Sequence, residues 1–157
     1  MSEKTPLAPI VHAETMEHIA PDFYVIPDHG VPLVPNIGIV GGRDAVLVVD
    51  TGMGVRNATN VLNAVDQIAN GRKIFLTTTH FHPEHAFGTS VFHEYATVLM
   101  NRTQQIDMQE KGPGYLDFFK TFGDSVAREL VDVEFVDPTI VYDNEYSLDL
   151  GGRIVNM

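Results

Sequence analysis

The chain contains no cysteine. That absence excludes disulfides, thiolate nucleophiles and cysteine-ligated zinc together, and it leaves histidine and carboxylate as the strong metal donors. Basic residues are scarce as well: Lys plus Arg number 10 against 21 for Asp plus Glu, a formal charge of −11. The ten are scattered, so no basic patch offers a footing for a phosphate backbone, and nucleic acid is not expected as a partner. No apolar run approaches the roughly 20 residues of a membrane span. The opening MSEKTPLAPIVHAETMEHIAP carries one lysine and no unbroken apolar stretch, unlike a secretory signal. A soluble cytoplasmic protein that does not engage membranes is the expectation. Internal repeats and low-complexity tracts are also missing.

What is present suffices for one hydrophobic core. Hydrophobic residues make up 44% of 157 and charged residues 20%, which excludes disorder as the general state. Residues 1–20 show no periodicity and read as an N-terminal arm, with residues 21–157 as the domain. Phe23-Tyr24-Val25-Ile26 reads as a short strand, followed by a Gly/Pro loop over residues 28–35. Two apolar runs, Asn36–Val40 and Ala45–Val49, flank Gly41-Gly42-Arg43-Asp44 and predict a hairpin. The second run stops at Asp50-Thr51-Gly52. Apolar residues then fall at 55, 58, 61, 62, 65, 68 and 69, one face of a helix that Gly71 is placed to end. Ile74–Thr79 reads as a buried strand, so strand, helix and strand follow in the order of a parallel βαβ unit. Ala96–Met100 predicts a further strand. Asn101–Glu110 and Tyr115–Leu130 predict two helices separated by Gly112-Pro113-Gly114, and Pro138–Asp143 with Tyr146–Leu150 predicts a second hairpin across Asn144-Glu145. Gly151-Gly152-Arg153 is a turn, and Ile154-Val155 opens another strand.

Three of the seven histidines lie within six positions of the stretch 77–90, TTTHFHPEHAFGTS. His80 and His82 are two residues apart and point to one side of an extended backbone. Pro83 favours a helix start, which swings His85 back toward that side. Converging neutral imidazoles suit zinc, and Glu84 can serve as an oxygen ligand or as a base acting on a metal-activated water. The cluster follows a predicted parallel strand, at the end where open sheets place their ligands.

THFHPEH, preceded by a strand, a helix and a strand that ends in DTG, resembles the metallo-β-lactamase superfamily and its HxHxDH motif. GGRDAVLVVDTGMG and the closing LDLGGR fit that family too, so the likeness covers about residues 23–157. It implies an α+β fold, the N-terminal half of an αββα sandwich. It also implies a metal-dependent hydrolase in which activated water attacks an ester, lactam, lactone, thioester or sulfate ester of a small-molecule substrate. Carried over, His80 and His82 would hold one metal, Glu84 and His85 would belong to a second, and Asp50 would support the site from behind. Zinc, as one or two ions, is the metal implied, with iron and manganese as alternatives. Glu84 and Asp50 are the residues expected to take part in catalysis beside the ligands His80, His82, Glu84 and His85.

Two departures from the family pattern shape these expectations. Glu84 stands where the family has Asp, with a stem longer by one methylene. The family's later ligands, a His, an Asp and a last His beyond its GGR strand, have no counterpart here, since no histidine follows His93. The chain is expected to be a piece of a longer metallo-hydrolase. The other account is a half-domain that binds metal and works as an interaction module. In either case two copies are expected to associate, as a homodimer or a higher assembly. His93 is expected to pack or meet solvent, and His12 and His18 to lie at the surface. The Tyr115/Phe118/Phe119/Phe122 stripe has the helical spacing of core packing, and it and His29 also lie where the family borders its pocket. Asn57-Ala58-Thr59 and Asn101-Arg102-Thr103 match the glycosylation pattern, which has no meaning without secretion.

Overall fold

A computed structural model describes residues 7–157. Seven strands form one mixed sheet in sequence order: β1 (Glu17–Ala20), β2 (Phe23–Ile26), β3 (Ile37–Gly41), β4 (Ala45–Val49), β5 (Lys73–Thr77), β6 (Thr97–Asn101) and β7 (Ile140–Tyr142). The first four pair antiparallel, and β4 to β7 run parallel. Helix α1 (Gly54–Ala69) makes the crossover between β4 and β5, as the apolar spacing predicts. It ends with Asn70 in the left-handed conformation, φ 47° and ψ 50°, one residue before the expected Gly71. Asn tolerates that conformation because its short polar side chain bonds locally.

Strand alternation divides the core. Val46, Val48, Ile74 and Leu76 face α1, where Ala58, Val61, Val65 and Ala69 are buried with them. Ala45, Leu47, Phe75 and Leu99 face the other way, onto Leu148 and Leu150. Those two leucines belong to a separate hairpin of β8 (Ser147–Asp149) and β9 (Ile154–Asn156). A third cluster surrounds the short α2 (Pro83–Ala86) and the helices after β6, with Met53, Phe87, Met100, Met108, Phe119 and Leu130 at its centre. Among the described residues no helix is long and apolar enough to cross a membrane.

Three expectations are corrected. The first concerns Gly112-Pro113-Gly114, which does not break a helix. Helix α4 runs unbroken from Arg102 to Lys120 with Pro113 inside it. An internal proline costs about 3 kcal/mol, so packing on both sides must offset it. Met108 and Phe119 are buried, and Gly112 lets the helix lie against Phe135, whose ring would stand 2.9 Å from any Cβ there. The break falls instead at Gly123, φ 128°, before α5 (Asp124–Glu129).

The second correction is the hairpin over residues 138–150, which does not form. β7 joins the sheet beside β6, with Leu99 opposite Ile140, and β8 pairs with β9. Turn chemistry made the choice. Gly151 and Gly152 both take positive φ, 88° and 77°, as a tight two-residue hairpin turn requires, whereas Asn144-Glu145 has no glycine to offer. The third is the arm. Of residues 7–20, Glu17–Ala20 form the edge strand β1 and Val11 is buried in the α1 core, while residues 1–6 lie outside the described residues. A strand exposed on every residue carries no alternation to read. The remaining helix, α3 (Thr89–Phe92), is a single turn before β6.

Candidate metal centre

The cluster begins where β5 ends. β4 closes at Val49, and Asp50 turns the chain with φ 74°, a left-handed conformation that Asp tolerates better than most residues. Its backbone N–H donates to the Thr77 carbonyl at 2.9 Å, so the end of β4 is fastened to the end of β5. The next residue, Thr51, holds α2 in place. Its N–H and its hydroxyl both donate to the His85 carbonyl, at 2.9 and 3.0 Å, and its oxygen accepts the Gly88 N–H at 3.1 Å. α2 starts with Pro83 at its first turn and carries Glu84 and His85.

Asp50 is the hub behind the histidines. It is 2% exposed, and one carboxylate oxygen accepts the Thr79 N–H at 2.7 Å. The Thr79 hydroxyl lies 3.1 and 3.0 Å from its two oxygens, and His85 Nδ1 lies 2.8 Å from Oδ2. An ionised carboxylate can only accept, which fixes the protons around it. His85 Nδ1 carries hydrogen and its Nε2 keeps a free lone pair. The Thr79 hydroxyl donates to Asp50, so its oxygen accepts from His80 Nδ1, 3.0 Å away. His80 Nε2 is thereby also left as a free donor atom. One buried aspartate sets the tautomers of two imidazoles, one directly and one through a threonine. Thr79 gave no signal in the sequence beyond its place in a run of three threonines.

His80, His82 and Glu84 each present a ligand atom, and these three atoms lie within 4.8 Å of one another. His85 stands beside them: its ring centroid is 4.1 Å from that of His80, and its Nε2 is 3.9 Å from Glu84 Oε1. The second oxygen, Glu84 Oε2, is buried without a hydrogen-bond partner. A buried, unpaired carboxylate oxygen is costly unless a cation or donor meets it. Imidazole nitrogen beside carboxylate oxygen is the donor set of first-row divalent metals. The residues therefore fit a metal ion. The pKa of His80 is lowered, first by burial and then by the nearby charges of His85 and His82, with Asp50 and Glu84 opposing. Its neutral, ligating form is favoured accordingly.

All the predicted site residues thus gather in one place, though not in one role: His80, His82 and Glu84 converge, His85 is tied to Asp50, and Asp50 lies behind them. His12, His18, His29 and His93 are exposed and stay outside the cluster, with His29 bonded to Thr15 Oγ1 at 2.8 Å. Asn57, the first residue of one glycosylation-pattern triplet, is closed to a sugar by its burial. It is fully buried, and its side chain accepts from Val11 N and donates to the carbonyls of Pro9 and Met53, each at 2.8 Å. A cleft of about 740 Å³ opens at the opposite end of the parallel strands, between α1 and Tyr95, far from this chemistry.

Among the solved structures that share the fold are three metallo-beta-lactamases. A metallo-beta-lactamase from Pontibacter korlensis aligns with a TM-score of 0.62 at 13% identity, over 90% of this chain and 58% of its own. One from Cronobacter sakazakii with an HARLDQ motif gives 0.59 at 14%, over 87% and 51%. MEM-A1, a subclass B3 metallo-beta-lactamase isolated from a soil metagenome library, gives 0.54 at 17%, over 83% and 47%. At these identities the likeness concerns the fold, and the chain spans about half the length of each. A comparison with curated protein sequences finds no match. The model of the metallo-beta-lactamase superfamily matches residues 30–145, most of the chain and the whole of the histidine cluster. With the mixed sheet, the strand-end cluster and this match in agreement, the chain belongs to the metallo-beta-lactamase superfamily.

Proposed function

We propose that this chain supplies the zinc-binding portion of a metallo-hydrolase that cleaves an ester, lactam, lactone, thioester or sulfate ester. The observation that carries the reading is the convergence of one ligand atom each from His80, His82 and Glu84, the last with a carboxylate oxygen buried without a hydrogen-bond partner. His80 and His82 would hold zinc through imidazole nitrogens and Glu84 through a carboxylate oxygen, with His85 Nε2 available beside them. Bound zinc lowers the pKa of water to near neutrality and polarises the scissile bond. The chain's own residues do the rest. Asp50 and Thr79 hold His80 and His85 in the ligating tautomer, and the Glu84 oxygen that does not ligate would accept a proton.

Zinc titration of the chain against a chromophoric chelator tests the first half of this reading. One ion per chain is expected, with affinity reduced about 10- to 100-fold or more in His80→Ala and His82→Ala. Fewer than one ion per two chains would reject the site. A panel of ester, lactone, lactam, thioester and sulfate-ester substrates tests the second half, with Glu84→Gln as the inactive control.

One observation favours a second reading, a metal-binding module that self-associates without turnover. The sheet face opposite α1 is covered by the β8–β9 hairpin, and Val40, Val49 and Tyr142 on it are only partly buried. A face of that kind gains by meeting a second copy. Zinc binding without turnover on any of the five substrate classes would favour it.

A further inference from the structure

The ten basic residues are scattered along the sequence, yet the fold gathers three of them. Arg43 sits in the turn between β3 and β4, Arg72 in the turn from α1 into β5, and Arg153 just before β9. With Gly42, Gly151 and Gly152 they line a cleft of about 350 Å³. β4 and β5 begin at this end of the sheet, whereas the histidine cluster follows their last residues, about 17 Å away along the strands. The arginines are fixed in place with donors to spare. A guanidinium carries five N–H groups, and Arg72 uses three of them. Its Nε donates to the Ala69 carbonyl at 2.9 Å, and its terminal nitrogens donate to the carbonyls of Gly42 and Ile68. The arginine–carboxylate pairs among the described residues involve Arg43, Arg56, Arg102 and Arg153, so the charge of Arg72 is unpaired. Arg153 lies over the Phe23 ring, 4.5 Å from its centroid. Its Nη2 stands 3.5 Å from the Pro21 carbonyl and 3.6 Å from Asp22 Oδ2, both beyond the usual range of about 2.7–3.2 Å. Of the other acids nearby, Asp44 pairs with Arg43 where both are more than half exposed, and Asp149 accepts the Gly151 N–H at 2.8 Å. Exposed pairs of that kind are weak in water and yield to a better partner.

We infer that this cleft binds a phosphate group, free or as the monoester of a small molecule. Guanidinium groups brought in from three segments suit a tetrahedral oxyanion, whose oxygens point in several directions. A planar carboxylate is satisfied by one bidentate arginine. The glycines keep the wall open: Gly152 takes φ 77°, and a Cβ added there would meet nothing within 4 Å. Arg72 also lines the cleft of about 740 Å³ beside α1, so the organic part of an ester has space next to the phosphate. The site is separate from the histidine cluster, and the inference does not rest on the metal reading.

Calorimetric titration tests this on the metal-free chain, since zinc in the histidine cluster would itself take up phosphate. Inorganic phosphate, phenyl phosphate and acetate are compared at one ionic strength, held with sodium chloride. Phosphate is expected to bind with a Kd on the order of 1 mM or below, and acetate about tenfold more weakly or worse. The double variant Arg43→Gln, Arg153→Gln should lose about tenfold or more in phosphate affinity. Arg128→Gln removes the same kind of charge from an exposed position outside the cleft and should leave that affinity unchanged. Arg72 is kept, because its carbonyl bonds tie the end of α1 to the end of β3. Circular dichroism checks the fold of each variant. If the double variant unfolds, Arg43→Gln alone carries the test with a loss of about threefold, its side chain being 77% exposed. Tighter binding of phenyl phosphate assigns the site to an ester and equal binding to free phosphate, and either outcome upholds it. The inference is overturned if phosphate does not bind, if acetate binds as tightly, or if Arg128→Gln loses as much as the cleft variants.

Discussion

At the scale of single residues, the site depends on what stands behind the donors. Asp50 accepts hydrogen bonds from Thr79 and His85, and its charge keeps the proton on Nδ1 of His85. Asp50→Asn preserves the size and the tolerance for φ 74° but replaces one acceptor with a donor. Zinc affinity, measured by chelator competition, is expected to fall about 10- to 100-fold with little change in the circular dichroism spectrum. Thr79→Val should weaken affinity in the same direction by cutting the relay from Asp50 to His80, and Thr79→Ser should restore it. A valine variant that binds as tightly as the parent would show that the relay is idle. Acid acts on the same residues. Above pH about 6.5 the His80 imidazole is neutral in both folded and unfolded chains. Because its folded pKa is lowered, the unfolded chain takes up the proton first as pH falls. Stability of the metal-free chain is therefore full above that pH and declines below it until the folded site also titrates. Urea midpoints measured between pH 7.5 and 5 should fall, and His80→Gln should flatten the fall.

At the scale of elements, close approach decides which glycines are indispensable. Gly54 opens α1 with φ 73°, and a Cβ there would overlap the backbone oxygen of Glu129 in α5. Glu129 is itself buried and paired with Arg56 of α1, so the two helices are locked at that contact. Gly54→Ala combines positive-φ strain with overpacking and should cost at least about 2 kcal/mol. Gly114 is the opposite case: it lies inside α4 with nothing within 4 Å of an added Cβ. Gly114→Ala should raise stability by about 0.5–1 kcal/mol. Denaturant midpoints of the two variants should therefore move apart, and a neutral Gly54→Ala would show that α5 can retreat from α1 at little cost.

At the scale of the whole molecule, the two faces of the sheet are unequal. α1 covers the centre of one face, with Val46, Val48, Val61 and Val65 at most 1% exposed. The other is covered by a short hairpin whose Ile154 is 65% exposed. An edge strand, β1, also lies open with Ile19 outward. Association through the hairpin-covered face is expected at micromolar concentration, giving a mass above that of one chain in light scattering. Ile154→Asp should lower that mass without altering secondary structure. A monomer at the same concentration in the parent chain would reject the expectation.

The elements nearest the chemistry were legible because their signals are local. Alternation set β3 and β4, the 3.6-residue period set α1, and the spacing of His80, His82 and Glu84 after a buried strand set the cluster. The family resemblance of THFHPEH and DTG rests on the same short stretches. What local signals do not carry is any term between distant residues. Pro113 stays in a helix because buried Met108 and Phe119 on either side of it, and Gly112 against Phe135, tie α4 to the third cluster. β8 chose β9 over β7 because two glycines accept positive φ and because β6 offered β7 a parallel partner. Edge strand β1 exists by pairing with β2 alone. Thr79 matters only because Asp50, 29 residues earlier, folds beneath it. The sequence by itself determined the donors, their spacing and the strand that ends at them, since these depend on neighbours along the chain. The tertiary structure decided which donors converge, which proton each imidazole keeps and which aromatic rings reach solvent, since those follow from contacts between elements far apart in sequence.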